Sequence, residues 1–120
     1  MNFVAAALAI LVAVLHVGFL VLEMFLWSGP VGRRVFGLAP EVMEASRSLA
    51  ANQGLYNGFL AAGLLWGVWL GVEGTSVRVF FLVCVVIAGV FGGVTAKRSI
   101  LWIQAAPGAI ALAFTVLARP

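Results

Sequence analysis

Four long apolar runs joined by short polar links leave this chain few folds to choose from. They cover about residues 3–27, 49–72, 76–94 and 99–118, each close to the ~20 residues a helix needs to cross a bilayer's hydrocarbon. Lipid offers backbone groups no hydrogen-bond partner. Runs of this length therefore satisfy their own N–H and C=O groups as helices, despite many Gly and β-branched residues. Of the 120 residues, 64% are hydrophobic and only 9% charged, where a soluble domain carries roughly a quarter. The sequence predicts an all-α membrane protein, a single four-transmembrane-helix bundle over residues 1–120, multi-pass in a cell membrane, with the lipid bilayer as its first partner. The first run has no cationic leader and is too long for a signal peptide's apolar region, so it reads as a retained helix.

The links set direction. Gly29-Pro30 ends the first helix. Pro40 suits the first turn of the second helix, because its missing N–H costs nothing there. That helix thus starts near residue 40, outside lipid, and enters the membrane around 49. Glu44 can pair with Arg47 three residues on. "EGTS" and "TAKRS" are tight links that make their helices antiparallel. Arg33, Arg34, Arg47, Lys97 and Arg98 lie on the first and third links, against Arg78 and Arg119 on the other side. That bias places those links in the cytoplasm and both termini on the extracytoplasmic side. The net charge of +3 is spread over links rather than gathered in a basic patch, which argues against nucleic acid as a partner. One Cys and one His make neither an intrachain disulfide nor a zinc pattern. No metal and no cofactor is expected. Gly54 with Gly58, Gly63 with Gly67 and Gly71, and Gly89 with Gly93 are spaced for close helix contact. They fit packing within the bundle or a homo-oligomer seam.

Polar side chains concentrate at one depth. Alternating helix directions put Glu23, Asn52, Gln53, Tyr56, Asn57 and Gln104 in the cytoplasmic half, with His16 near the midplane. His16 and Glu23 are seven residues apart, on one face but about 10 Å apart along the axis, so they do not bond directly. Asn52 with Tyr56, and Gln53 with Asn57, form two adjoining stripes. Unpaired polar groups in hydrocarbon cost several kcal/mol each, so a one-sided cluster reads as a ligand site. In it, His16 and Glu23 move a proton while Asn52, Gln53, Tyr56, Asn57 and Gln104 bind the ligand. The competing reading of each is structural: helix-to-helix hydrogen bonds for His16 and the amides, pairing with a link cation for Glu23, and interfacial anchoring for Tyr56 and Trp27. Pro107 disturbs the backbone ladder next to Gln104.

His16 with "EMFLW" at 23–27, "NQGLYNGFLAAGLLWG" at 52–67, "AGVFGGVT" at 88–95, and Gln104 with Pro107 resemble a family of small bacterial membrane proteins known as domain of unknown function 1304. The resemblance spans nearly the whole chain. It implies four membrane helices in a bacterial plasma or inner membrane, and no activity. In architecture alone, the length and the first-helix carboxylate are also similar to small multidrug-resistance exporters.

Three functions remain open at this point. One is a binder or transporter of an apolar or amphipathic small molecule, coupled to protons and working as a homodimer. Another is a membrane-embedded enzyme of isomerase type, in which Glu23 and His16 shift a proton within a substrate. The last is a structural membrane subunit.

Overall fold

The computed structural model describes residues 1–119, and every regular element among them is helical. Helix α1 runs Phe3–Met24, α2 Pro30–Phe36, α3 Pro40–Ala45, α4 Arg47–Trp69, α5 Thr75–Thr95 and α6 Ala106–Leu117. A 3₁₀ turn at Gly71–Gly74 precedes α5, and a π-helical turn at Leu101–Ala105 precedes α6.

Among the described residues, two helices are long and apolar enough to cross a membrane, Phe3–Met24 and the continuous stretch Gly71–Thr95. Only 33% and 28% of an 18-residue apolar window in each is buried, unlike the mostly enclosed core helix of a soluble protein. Leu101–Leu117 is apolar but shorter. Helix α4 is 23 residues long, but its first half carries Arg47, Ser48, Asn52, Gln53 and Asn57.

The chain forms two compact units, one of Met1–Leu15 with the chain from Leu60 onward, the other of His16–Phe59. In the first, the core holds many small residues: Ala5, Ala9, Ala13, Ala61 and Ala111 are buried beside Val12, Leu64, Leu82 and Val85. Large apolar side chains point outward, with Phe3, Trp69, Trp102 and Leu117 at least three-quarters exposed. This inversion suits helices whose surroundings are as apolar as their side chains, where close packing rather than burial drives association. Pro107 explains the π-helical turn. Its ring and missing N–H break the ordinary ladder, and the Ala106 N–H bonds Leu101 O, five residues back. At the other end of this unit Gly71 takes a left-handed conformation (φ 65°). The chain thereby turns so that Arg78 reaches back across the end of α4. Its Nη1 donates to Gly67 O and Gly71 O, both at 2.7 Å.

The second unit holds the long link. Pro30 and Pro40 each sit at the start of a helix. Helix α2 is an element that the sequence pattern left as loop. It closes on Gly37, left-handed at φ 65°, whose N–H donates to Arg33 O. The helix opened by Pro40 breaks at Ser46 rather than running on; the Ser46 hydroxyl donates to Val42 O at 2.6 Å there. Glu44 and Arg47 pair across the break at 3.3 Å, both well exposed, a contact worth well under ~1 kcal/mol. Trp27 ties the link together. Its Nε1–H donates to Met43 O at 3.0 Å and Ser46 Oγ at 3.1 Å, and its ring packs on Phe36.

Candidate functional site: a carboxyl held by an amide

The site is built where α1 and α4 approach within the second unit. On α4, Gly54, Asn57 and Gly58 lie three and four residues apart, hence on one face. That face is turned to α1. A Cβ on Gly54 would stand 2.7 Å from Met24 Cγ, 3.1 Å from Glu23 Cβ and 3.2 Å from Leu20 O. One on Gly58 would stand 2.7 Å from Leu20 Cδ1. With glycine at both positions the backbones close in, and Asn57 between them is pressed against α1. Its Nδ2 donates a short hydrogen bond to Glu23 Oε1.

Asn57 is 6% exposed, and its amide is the one hydrogen-bond partner of the Glu23 carboxyl among the described residues. No cation pairs with Glu23 there; the ion pair in this unit is Arg47–Glu44. A carboxyl held by a neutral amide has a chemical property that an ion pair lacks. An ionised carboxylate accepts from the NH₂ group, and a protonated carboxyl can donate to the amide oxygen if the amide turns over. The pair can therefore stay bonded with or without the proton.

The other candidates are placed differently. Asn52 and Gln53 are exposed. Tyr56 is 54% exposed, with its ring edge-on to Phe59. The broad polar wedge thus divides, with Asn57 inward and the other three outward. His16 is fully enclosed and packs edge-on against Phe19, ring centroids 5.0 Å apart. Gln104 belongs to the other unit, where its Nε2 donates to Val85 O at 3.3 Å. An open concavity of about 460 Å³ in the second unit is lined by Met24, Glu44, Ala45, Arg47, Ser48 and Ala51. Sequence reasoning missed Arg78 as anything more than a link charge. The available signal was its position as the third residue of an apolar run, just after Gly71 and Gly74.

Comparisons with known proteins give a family and a relative whose printed descriptions assign no function. The family described as "Protein of unknown function (DUF1304)" matches residues 10–116. An uncharacterized protein of Lactococcus lactis subsp. lactis (strain IL1403), YpaA, is 27% identical over 114 residues, covering 93% of this chain and 96% of the relative. No solved structure gives a significant match.

Proposed function

We propose that this chain, which belongs to the DUF1304 family of proteins of unknown function, is a multi-pass plasma-membrane protein that binds a small amphipathic molecule and exchanges a proton at Glu23. The observation that carries the reading is the Glu23–Asn57 pair: a carboxyl in an apolar helix, bonded by a neutral amide and by no cation among the described residues. Ionisable groups within membrane segments are expensive, and they commonly mark ion or substrate pathways. An ionised Glu23 with no cation of its own favours a ligand that brings one. Asn52, Gln53 and Tyr56, exposed on α4, are the proposed polar contacts for its remaining groups. A hydrophobic cation such as tetraphenylphosphonium is therefore the probe of choice.

The test is calorimetric titration of the protein in lipid nanodiscs with that probe, in buffers of different ionisation enthalpy. Wild type is expected to release a proton on binding. Glu23→Gln keeps size and hydrogen bonding but has no proton to exchange, so it should show no release and at least tenfold weaker binding. Equal proton release from both proteins, or no binding by wild type, would remove Glu23 from this role.

The proposed topology has four spans, with α4 and the Leu101–Leu117 stretch crossing beside the two longer apolar helices. Both termini then lie outside, as the cation bias directs. The small-residue core and large-residue surface of the first unit support this arrangement. With Cys84 replaced by Ser, single cysteines placed in the 33–47 link should resist a membrane-impermeant thiol reagent in intact cells, while one near the C-terminus should react. The reverse pattern would invert the topology.

A further inference from the structure

We propose that Arg78 forms the floor of an anion site that takes a single phosphate group, at the end of the first unit where α1 begins and α6 ends. Arg78 is 3% exposed. Its bonds go to neutral groups only, Gly67 O and Gly71 O from Nη1 and Thr75 Oγ1 from Nη2 at 3.1 Å. Of the five N–H donors of a guanidinium, Nε–H is buried with no acceptor among the described residues. No carboxylate pairs with Arg78 there either. A buried charge left without a counter-charge costs far more than a paired one, so the arrangement calls for an anion that the described residues do not supply.

There is room for one. Arg78 helps to line a cavity of about 110 Å³ with Asn2, Ala5, Thr75, Thr115 and Ala118, and none of the lining residues is acidic. Asn2 uses Oδ1 to accept from the N–H groups of Val4 and Ala5, which leaves its NH₂ as the remaining polar donor group. Sites for drug-sized molecules run to ~300–1,000 Å³; this one suits a single tetrahedral group. Phosphate matches an arginine edge by paired hydrogen bonds. Arg78 also lies in the first turn of α5, where the helix dipole favours negative charge. The group could belong to a lipid headgroup or be free phosphate, and the chemistry of recognition is the same. This site does not depend on the role proposed for Glu23.

The test is the thermal stability of the full chain in a neutral detergent, with added phosphatidylglycerol, inorganic phosphate or uncharged diacylglycerol. Wild type should be stabilised by phosphatidylglycerol or by inorganic phosphate, and not by diacylglycerol. A response to phosphatidylglycerol alone assigns a headgroup; a response to inorganic phosphate assigns a free anion. Two variants leave the guanidinium's own bonds in place. Asn2→Asp keeps the helix cap but puts a carboxylate in the cavity wall, and Ala118→Leu fills the space. Each should fold and need at least tenfold more ligand for the same rise in Tm. No stabilisation of wild type by either phosphate-bearing probe, or an undiminished response in both variants, would overturn the proposal.

Discussion

Gly89→Leu is expected to break the packing of α5 against the Leu101–Leu117 stretch, lowering stability by more than about 3 kcal/mol. Overpacking a tight core typically costs 1–3 kcal/mol when side chains can adjust. Here the neighbour is backbone. A Cβ on Gly89 would stand 2.6 Å from Ala105 N and 2.8 Å from Ala105 Cα, and neither atom can rotate away. The π-helical turn adds to the constraint, because Ala105 is its last residue and Pro107 follows just beyond. Gly93 and Gly108 lock the same contact from each side. A Cβ on the first would stand 2.4 Å from Leu101 Cδ2, and one on the second 2.8 Å from Val85 Cγ1. Gly18→Ala is the control, since nothing lies within 4 Å of the added carbon. Thermal melts in detergent should show a large loss for Gly89→Leu and none for Gly18→Ala. A wild-type melt for Gly89→Leu would mean that the close approach at Ala105 does not hold the unit together.

Much of this was legible because close helix packing writes itself into small residues. The spacings of Gly54 with Gly58 and of Gly89 with Gly93 announced close helix contacts, and both pairs sit where another element presses in. The alternation of helix directions placed the polar residues at one depth as an expectation only. Which side of α4 turns inward was not legible from spacing. Period alone treats the Asn52–Tyr56 and Gln53–Asn57 stripes alike. The deciding clue was that Asn57 shares its face with the two glycines, whereas Asn52 and Tyr56 do not. The link was harder to read. Nothing in the pattern of residues 30–36 distinguishes a two-turn helix from a loop except Pro30 at one end and Gly37 at the other. Ser46 breaks the next helix through a local side-chain bond to Val42 O, and propensity gives little warning of that. Arg78 was read only as a link charge because a charge near a helix end ordinarily reads as solvated. Whether it faces water or the end of the preceding helix depends on the turn made by Gly71.

Asn57→Leu should strand the Glu23 carboxyl, and the response of a second substitution separates a site from a simple helix tie. Losing the amide leaves the carboxyl without the one donor it has among the described residues; Glu23 is half-buried, so the loss falls toward the low end of the about 1–3 kcal/mol that an unsatisfied buried polar group costs. The added Leu side chain replaces an inward group with one of similar size, so packing contributes less. Replacing both partners by apolar groups is close to neutral by the same principle. The double variant Glu23→Leu with Asn57→Leu should therefore regain most of the stability lost by Asn57→Leu alone. Thermal melts of the two single variants and the double variant measure the coupling directly. Additive losses, with no recovery in the double variant, would mean that the hydrogen bond contributes nothing to the fold. Binding of tetraphenylphosphonium supplies the other half of the argument. A tie between helices can be replaced by apolar packing without loss of function, but a proton-exchanging ligand site cannot. If Glu23 serves the ligand, the double variant is stable and does not bind. If it binds as wild type does, the pair is only a tie between α1 and α4, and the functional group lies elsewhere in the chain.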